Sequence, residues 1–358
     1  MIMKATGNLF LQIIYAIAFL AGSNIAAMAL DESQAAAQPA LKEVPLITFK
    51  NLSPPFKDYD YFQNHRKFPF RVQATAFNLI NAWWLAEAAT LVYADPDFVI
   101  PRFREAGFTQ VRFFDKLSTQ CYVADNGRSA IVAFRGSEIW KKDGNFDLNK
   151  VIADLKADVD IRFTQWPPGG KVHRGFKEAL DEVWPDLSPY IKKLESKGCK
   201  IWITGHSLGA ALATLCAARY GKVQGIYAFG SPRVGDEGFK KKLDVKIYRV
   251  VNNDDIFCRV PPPGRYVHVG ELKFIDRDGI IRDQKAEREP SAAYQRPDER
   301  YGQDDTHSQK KNSFKGFVPA PFRDHVPLLY AVHIWNNLLP FSRDGATAQH
   351  KKMLLDQY

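Results

Sequence analysis

Residues 205–209 read Gly205-His206-Ser207-Leu208-Gly209, and they separate two segments of opposite preference. Before them, Lys200-Ile201-Trp202-Ile203-Thr204 is short and rich in strand formers. After them, an Ala- and Leu-rich run to Tyr220 favours a helix. A strand can pass into a helix across so few residues only where bulky side chains are absent. Gly205 and Gly209 meet that demand, and Ala210 and Ala211 let the helix lie close to the strand. A turn of this kind lifts a serine hydroxyl above a sheet and aims the first helical N–H groups at the same point, where the macrodipole favours negative charge. The bland alternative is a glycine-flanked turn with an inert serine. What separates the two readings is whether Ser207 has partners.

Strands and helices alternate on both sides of this turn. Helical spacing of apolar residues predicts a helix over Ala76–Tyr93. Strands are expected over Phe108–Asp115 and Gln120–Ala124. Asp125-Asn126-Gly127 then turns the chain into a strand over Ser129–Phe134. Gly175–Lys197 reads as a helix that Pro185 and Pro189 would split or kink. Further strands are expected over Ile226–Phe229 and Val245–Val251. A hairpin is expected from Tyr266–Asp276 into Ile280–Arg282, and a last helix over Val326–Leu339. This order predicts an α/β fold with a mostly parallel central sheet flanked by helices. Residues 283–323 are polar and poor in aliphatics, which predicts a long solvated loop; a flap over a site is the competing reading.

The chain has 358 residues, 46% of them hydrophobic, enough for one large domain, here expected over 47–358. Lys4, the apolar Leu9–Ala21 and the Ala27-Met28-Ala29 site read as a signal peptide over residues 1–29, followed by a tether over 30–46. Export is therefore expected, with an uncleaved anchor as the alternative. The net charge of +9 would favour anionic surfaces if it were clustered, but no nucleic-acid-binding signature accompanies it and no nucleic-acid partner is expected. The four cysteines, Cys121, Cys199, Cys216 and Cys258, allow three full disulfide pairings or four buried thiols. No C-x-x-C occurs, so neither a metal nor another cofactor is expected, and nothing in the chain points to a protein partner.

A serine nucleophile needs a base and a carboxylate to orient it, and where the serine sits on a strand-to-helix elbow of this kind the chain order is Ser, Asp or Glu, then His. His65, His173 and His206 precede Ser207; His206 adjoins it, where the turn should point it elsewhere. His307 and His350 fall in polar segments, His268 in a strand, and His333 on the packed face of the last helix. His325, at the entry to that helix, is the best-placed base. Asp255 lies just beyond a strand end, where catalytic groups of such sheets gather; Asp254 is its neighbour and rival. An oxyanion hole would draw on the N–H of Leu208 and, from Arg135-Gly136-Ser137 after an earlier strand, the N–H of Ser137.

Taken together, these segments resemble the class 3 lipases, the fungal-type triacylglycerol lipase family. Ala133-Phe134-Arg135-Gly136-Ser137 is similar to its oxyanion loop, and Val172-His173-Arg174-Gly175-Phe176 to its V-H-x-G-F segment. Thr204–Ala210 is similar to its T-G-H-S-L-G-G/A elbow. Asp255-Ile256-Phe257-Cys258-Arg259-Val260-Pro261-Pro262 is similar to its D-I-V-P-x-x-P-P stretch, and Tyr266–Glu271 to Y-x-H-x-G-x-E. Asp324-His325 followed by Tyr330 resembles D-H-x-x-Y with a longer gap. The resemblance implies an α/β-hydrolase fold, a Ser207-His325-Asp255 triad, ester hydrolysis at a lipid–water interface and a lid within Glu138–Ile152. Acylglycerols are the implied substrates. Phospholipase A or feruloyl esterase activity is the alternative within the same shape, and a catalytically silent lipid-surface-binding protein the alternative outside it. Cys258 stands where the pattern has proline, which leaves a disulfide open there.

Overall fold

The computed structural model describes residues 39–137, 162–167, 169–283 and 318–339. The signal peptide expected over 1–29, the lid expected within Glu138–Ile152 and residues 284–317 of the insertion lie outside these residues. Among the described residues no helix is long and apolar enough to cross a membrane.

Eight strands form one sheet. In chain order they are β1 (Gln110–Lys116), β2 (Thr119–Asp125), β3 (Ser129–Phe134), β6 (Lys200–His206), β7 (Gly225–Phe229), β8 (Ile247–Asn252), β9 (Glu271–Ile275) and β10 (Ile281–Arg282). A separate two-stranded ribbon pairs β4 (Phe163–Gln165) with β5 (Lys171–His173). Spatial order in the large sheet follows chain order. Neighbours from β3 to β9 run parallel, while β1–β2, β2–β3 and β9–β10 pair antiparallel. The parallel strands are buried on both faces, so they read as continuous apolar runs.

Strand alternation divides the core in two. Ile131, Ala133, Trp202, Tyr227 and Phe229 point to one face, where they meet α1 (Leu79–Leu91) and α7 (Pro327–Leu338). Ala130, Val132, Phe134, Ile201 and Ile203 point to the other, against α3 (Arg174–Ser196) and α4 (Leu208–Tyr220). All thirteen residues of α1 are buried. Its carboxylate, Glu87, is satisfied by the hydroxyl of Tyr59 at 2.6 Å, the indole N–H of Trp83 at 2.8 Å and the Phe62 amide at 3.2 Å. This arrangement of a mostly parallel sheet with helices on both faces, and a sharp strand-to-helix turn at its centre, is the α/β-hydrolase fold.

Several local expectations differ from what forms. α3 runs unbroken for 23 residues through Pro185 and Pro189. Both prolines are exposed and four residues apart, so the carbonyls they leave without an intrahelical donor lie on the water-facing side. The chain from Tyr266 to Gly270 is not part of β9: Gly270 adopts φ +86°, which ends the extended run, and this stretch makes isolated bridges instead, Tyr266 to Pro263 and Val267 to Gly235. A further helix, α2 (Pro96–Glu105), starts behind Asp95 with proline in its first turn, a start signal that the interior Pro101 obscured. Two short helices, α5 (Glu237–Lys241) and α6 (Ala320–Arg323), and a single 3-10 turn, Ile256–Arg259, complete the set of described elements.

The tether expected over 30–46 is anchored at its end. Lys42 exchanges two hydrogen bonds with the Asn336 side chain on α7, both of 2.9 Å, and Ile47 is buried. Its lysine ammonium also reaches Glu87 at 3.5 Å and lies 3.9 Å over the Tyr59 ring, so a buried carboxylate draws the segment in. The four cysteines are all unpaired and buried.

His173 caps α3: its Nδ1 accepts from the Phe176 amide at 3.4 Å. Burial, aided by the adjacent Arg174 charge, lowers its pKa to about 4. The unfolded chain therefore takes up this proton near pH 6.5, before the folded protein does. The neutral ring's contribution to stability is complete above about pH 6.5 and declines as pH falls toward about 4. Denaturant titrations across that window should show unfolding free energy falling with pH. In His173→Asn, which keeps a capping acceptor, the fall should be shallower; an identical slope would contradict the assignment.

Candidate active site

The turn at Ser207 is as tight as its glycines allow. A Cβ on Gly205 would lie 2.3 Å from the Gly209 carbonyl, and one on Gly209 would lie 2.3 Å from the Phe134 carbonyl oxygen. Strand β6, helix α4 and the loop after β3 are thus in backbone contact at this point. Ser207 itself adopts φ 58° and ψ −127°, a conformation that L-residues rarely occupy. The strain is held by its neighbours: the Ser207 amide donates to the Phe229 carbonyl at 3.0 Å, and the Ser207 carbonyl accepts from Ala210 at 3.0 Å.

Ser207, His325 and Asp255, 118 and 70 residues apart in successive pairs, meet in space. The Ser207 hydroxyl lies 2.9 Å from His325 Nε2. On the far side of the ring, Nδ1 lies 2.9 and 2.8 Å from the two carboxylate oxygens of Asp255. The tautomer with Nδ1 protonated satisfies all three groups: Nδ1 donates to the carboxylate and Nε2 accepts from the hydroxyl. All three side chains are buried.

Asp255 has no water to solvate it and is answered from within. The Phe257 amide donates to Oδ1 at 2.9 Å and the Tyr330 hydroxyl to Oδ2 at 2.5 Å, in addition to His325. Burial pushes this carboxyl up, but the His325 ring, its hydrogen bond, the Tyr330 hydroxyl and His206 outweigh burial and hold it below the usual carboxylate range. Its rival, Asp254, points elsewhere: half-exposed, it pairs with Arg259.

The loops that carry Asp255 and His325 are latched together by Asp324. Its Oδ2 accepts from Asn253 Nδ2 at 2.8 Å and from the Asp254 amide at 3.2 Å, and its backbone carbonyl accepts from Asn252 Nδ2 at 2.9 Å. The residue before His325 is therefore bonded to the three successive residues before Asp255. Tyr330, one turn into α7, adds a fourth tie by accepting from the Asn252 amide at 3.1 Å. This explains how the long polar insertion between the two loops leaves their geometry intact.

Two further rings contact the base. Phe257 stacks on His325 with centroids 3.9 Å apart and planes 23° from parallel, and His206 lies 4.4 Å away at 39°. The neighbour of Ser207 thus lies within the cluster, contrary to expectation: its Nδ1 lies 2.9 Å from the Tyr93 hydroxyl, and its ring is buried beside that of His325. Burial, then the adjacent His325, pushes the His206 pKa well below the ordinary histidine value and keeps that ring neutral. The apolar run Ile201-Trp202-Ile203 leading straight into Thr204-Gly205-His206 was the available signal. His268 plays an architectural part, its Nε2 lying 2.7 Å from the Cys258 carbonyl of the turn that follows the acid (Ile256–Arg259).

Leu208 is the first residue of α4, where N–H groups lack intrahelical acceptors. Ser137 is exposed at the end of the loop after β3, and its neighbour Gly136 is buried so closely that a Cβ would collide with Tyr93 and the His206 carbonyl. Glycine at 136 is what lets that loop lie against the elbow. Among the described residues no group of His, Cys, Asp and Glu is arranged to hold a metal ion.

Residues 131–264 match the family described as Lipase (class 3). The likeness to class 3 lipases is established over that span, which contains the oxyanion-loop, V-H-x-G-F, elbow and acid segments. Among curated relatives, a secreted mono- and diacylglycerol lipase of Fusarium solani is 36% identical over 181 residues, covering 47% of this chain and 51% of the relative. A lipase of Rhizomucor miehei is 31% identical, covering 42% and 43%. Phospholipase A1-II 6 of Oryza sativa is 29% identical, covering 42% and 44%. The chain thus spans about half the length of the curated relatives it matches, or somewhat less. Among solved structures, a lipase from Rhizopus microsporus var. chinensis is 25% identical with a TM-score of 0.44, covering 57% of this chain and 76% of that one.

Replacing Asp324 with Ala would leave the Asn253 amide group and the Asp254 N–H without their acceptor. The expected cost is about 2–4 kcal/mol of stability, read as a lower urea midpoint at unchanged m-value. A change under about 0.5 kcal/mol, the scale of an ordinary surface substitution, would show that the latch carries no load.

Proposed function

We propose that the protein is a serine carboxylic ester hydrolase that cleaves acylglycerol esters. The observation that carries this reading is the unbroken line from the Ser207 hydroxyl through His325 to the Asp255 carboxylate, with 2.9 Å at the first step and 2.8 Å at the last. The likeness to class 3 lipases, and relatives named as mono- and diacylglycerol lipases, support the substrate class.

Ser207 Oγ attacks the ester carbonyl carbon as its proton passes to His325 Nε2. The carbonyl oxygen becomes an oxyanion, held by the amides of Leu208 and Ser137 near the positive end of α4. The C–O bond to the alcohol then breaks, and that alcohol leaves with the proton from His325. Water enters, gives a proton to His325, and attacks the acyl-enzyme; collapse releases the carboxylic acid and returns the proton to Ser207. Asp255 keeps the ring in the tautomer that accepts at Nε2 and balances the imidazolium that forms twice per cycle. The chemistry needs neither metal nor cofactor. Relatives named as secreted and the apolar N-terminal stretch support export, and a lipid surface is the proposed partner.

Ser207→Ala should lower kcat by about a thousandfold or more while leaving the unfolding midpoint near that of the wild type; substantial residual turnover would reject the assignment. Asp255→Asn should cost on the order of a thousandfold, and Asp254→Asn less than about threefold, as for an exposed ion pair. Assays on dioleoylglycerol emulsions and phosphatidylcholine vesicles test the substrate class. Faster cleavage of the emulsion is expected, and a preference for the vesicles would replace acylglycerols with phospholipids.

A further inference from the structure

We infer that Phe257 is a positioning residue for the base, acting through its ring on His325 while its backbone holds Asp255. This deepens the reading of the site as a serine esterase and rests on it. Two contacts of one residue carry the inference. The Phe257 amide donates to Asp255 Oδ1 at 2.9 Å, and the Phe257 ring stacks on the His325 imidazole at 3.9 Å and 23°. A single short turn therefore fixes both ends of the Asp255–His325 hydrogen bond.

The stack bears on the motion that would harm the site most. Turning the imidazole about its Cβ–Cγ bond would break its bonds to Ser207 and to Asp255 together. Carbon atoms in contact lie about 3.5–4.0 Å apart, so a ring whose centroid is 3.9 Å from that of the imidazole leaves no room for an edge to sweep through. The His206 ring, at 4.4 Å, adds a second contact without contributing charge, since burial keeps it neutral. When His325 takes up the serine proton, the cation that forms already has an aromatic face against it, an arrangement that favours the charge. Phe257 is half-buried while His325 beneath it is buried, so the ring also keeps water off the base.

In the stretch that resembles D-I-V-P-x-x-P-P, Phe257 occupies the place of valine. A valine can fill space but presents no flat face to an imidazole. The competing role for an aromatic here is as wall for the acyl chain, which would act on substrate affinity and depend on chain length.

The test compares wild type, Phe257→Leu, Phe257→Met and Phe257→Tyr on p-nitrophenyl acetate, butyrate and octanoate, with thermal unfolding of each. Leu and Met should lower kcat by about tenfold, the scale of a modest misplacement of a catalytic group, equally for all three esters and with KM unchanged. Tyr, which keeps the ring, should restore kcat to within about twofold of wild type. Four outcomes overturn the proposal: kcat retained in a folded Leu or Met variant; a change confined to KM; a change that grows with acyl length; or Tyr falling as far as Leu. Wild-type turnover no greater than that of Ser207→Ala would remove the esterase reading and this proposal together. Wild-type turnover with an unaffected Leu variant would remove this proposal alone.

Discussion

A carboxylate sealed from water must be answered inside the protein, and Asp255 organises the site because of that demand. Its two oxygens gather the Phe257 amide, the Tyr330 hydroxyl and the His325 ring. Those donors come from the turn after β8, from α7 and from the loop before α7, so satisfying one buried charge draws three pieces of chain to one point. The desolvation penalty is offset only by the full donor set, which is why the carboxyl stays ionised despite its burial. A histidine oriented by such a group has one tautomer that fits, and that tautomer offers Nε2 to the serine.

Positioning the serine is a separate problem, and the elbow handles it by backbone contact. Gly205, Gly209 and Gly136 have carbonyls or a tyrosine hydroxyl where a Cβ would be, so β6, α4 and the loop after β3 close on one another. The rare backbone angles of Ser207 are maintained by this packing. The latch at Asp324 then brings the acid and base loops together across a long polar insertion. Closing a longer loop adds only slowly to its entropic cost, so a few well-placed hydrogen bonds are enough to offset it.

The α/β class, the elbow and the grouping of Ser207, His325 and Asp255 were legible in the sequence, because each leaves a local mark. Continuous apolar runs mark buried parallel strands, glycine flanks mark the elbow, and an aspartate beyond a strand end marks a place where functional groups gather. What the sequence concealed depends on long-range packing. His206 looked like a residue turned out of the site, yet its ring lies beside the base because β6 is buried to its last residue. Asp324 looked like a companion of His325, and its bonds to Asn253 and Asp254 follow only from the loops' proximity. The prolines of α3 predicted a break; their exposure made the lost hydrogen bonds tolerable. Lys42 fell in a stretch without periodicity, and nothing local pointed to a buried glutamate on another helix as its partner.

The reactivity of Ser207 is proposed to depend on the His325 imidazole, and covalent labelling of the whole protein with a fluorophosphonate, followed by mass analysis of the peptides, reads that dependence most directly. Wild-type protein should carry a single phosphonylated serine, Ser207, and labelling should slow by orders of magnitude in His325→Ala. Modification of a different residue, or labelling of Ser207 at an undiminished rate without the imidazole, would contradict it.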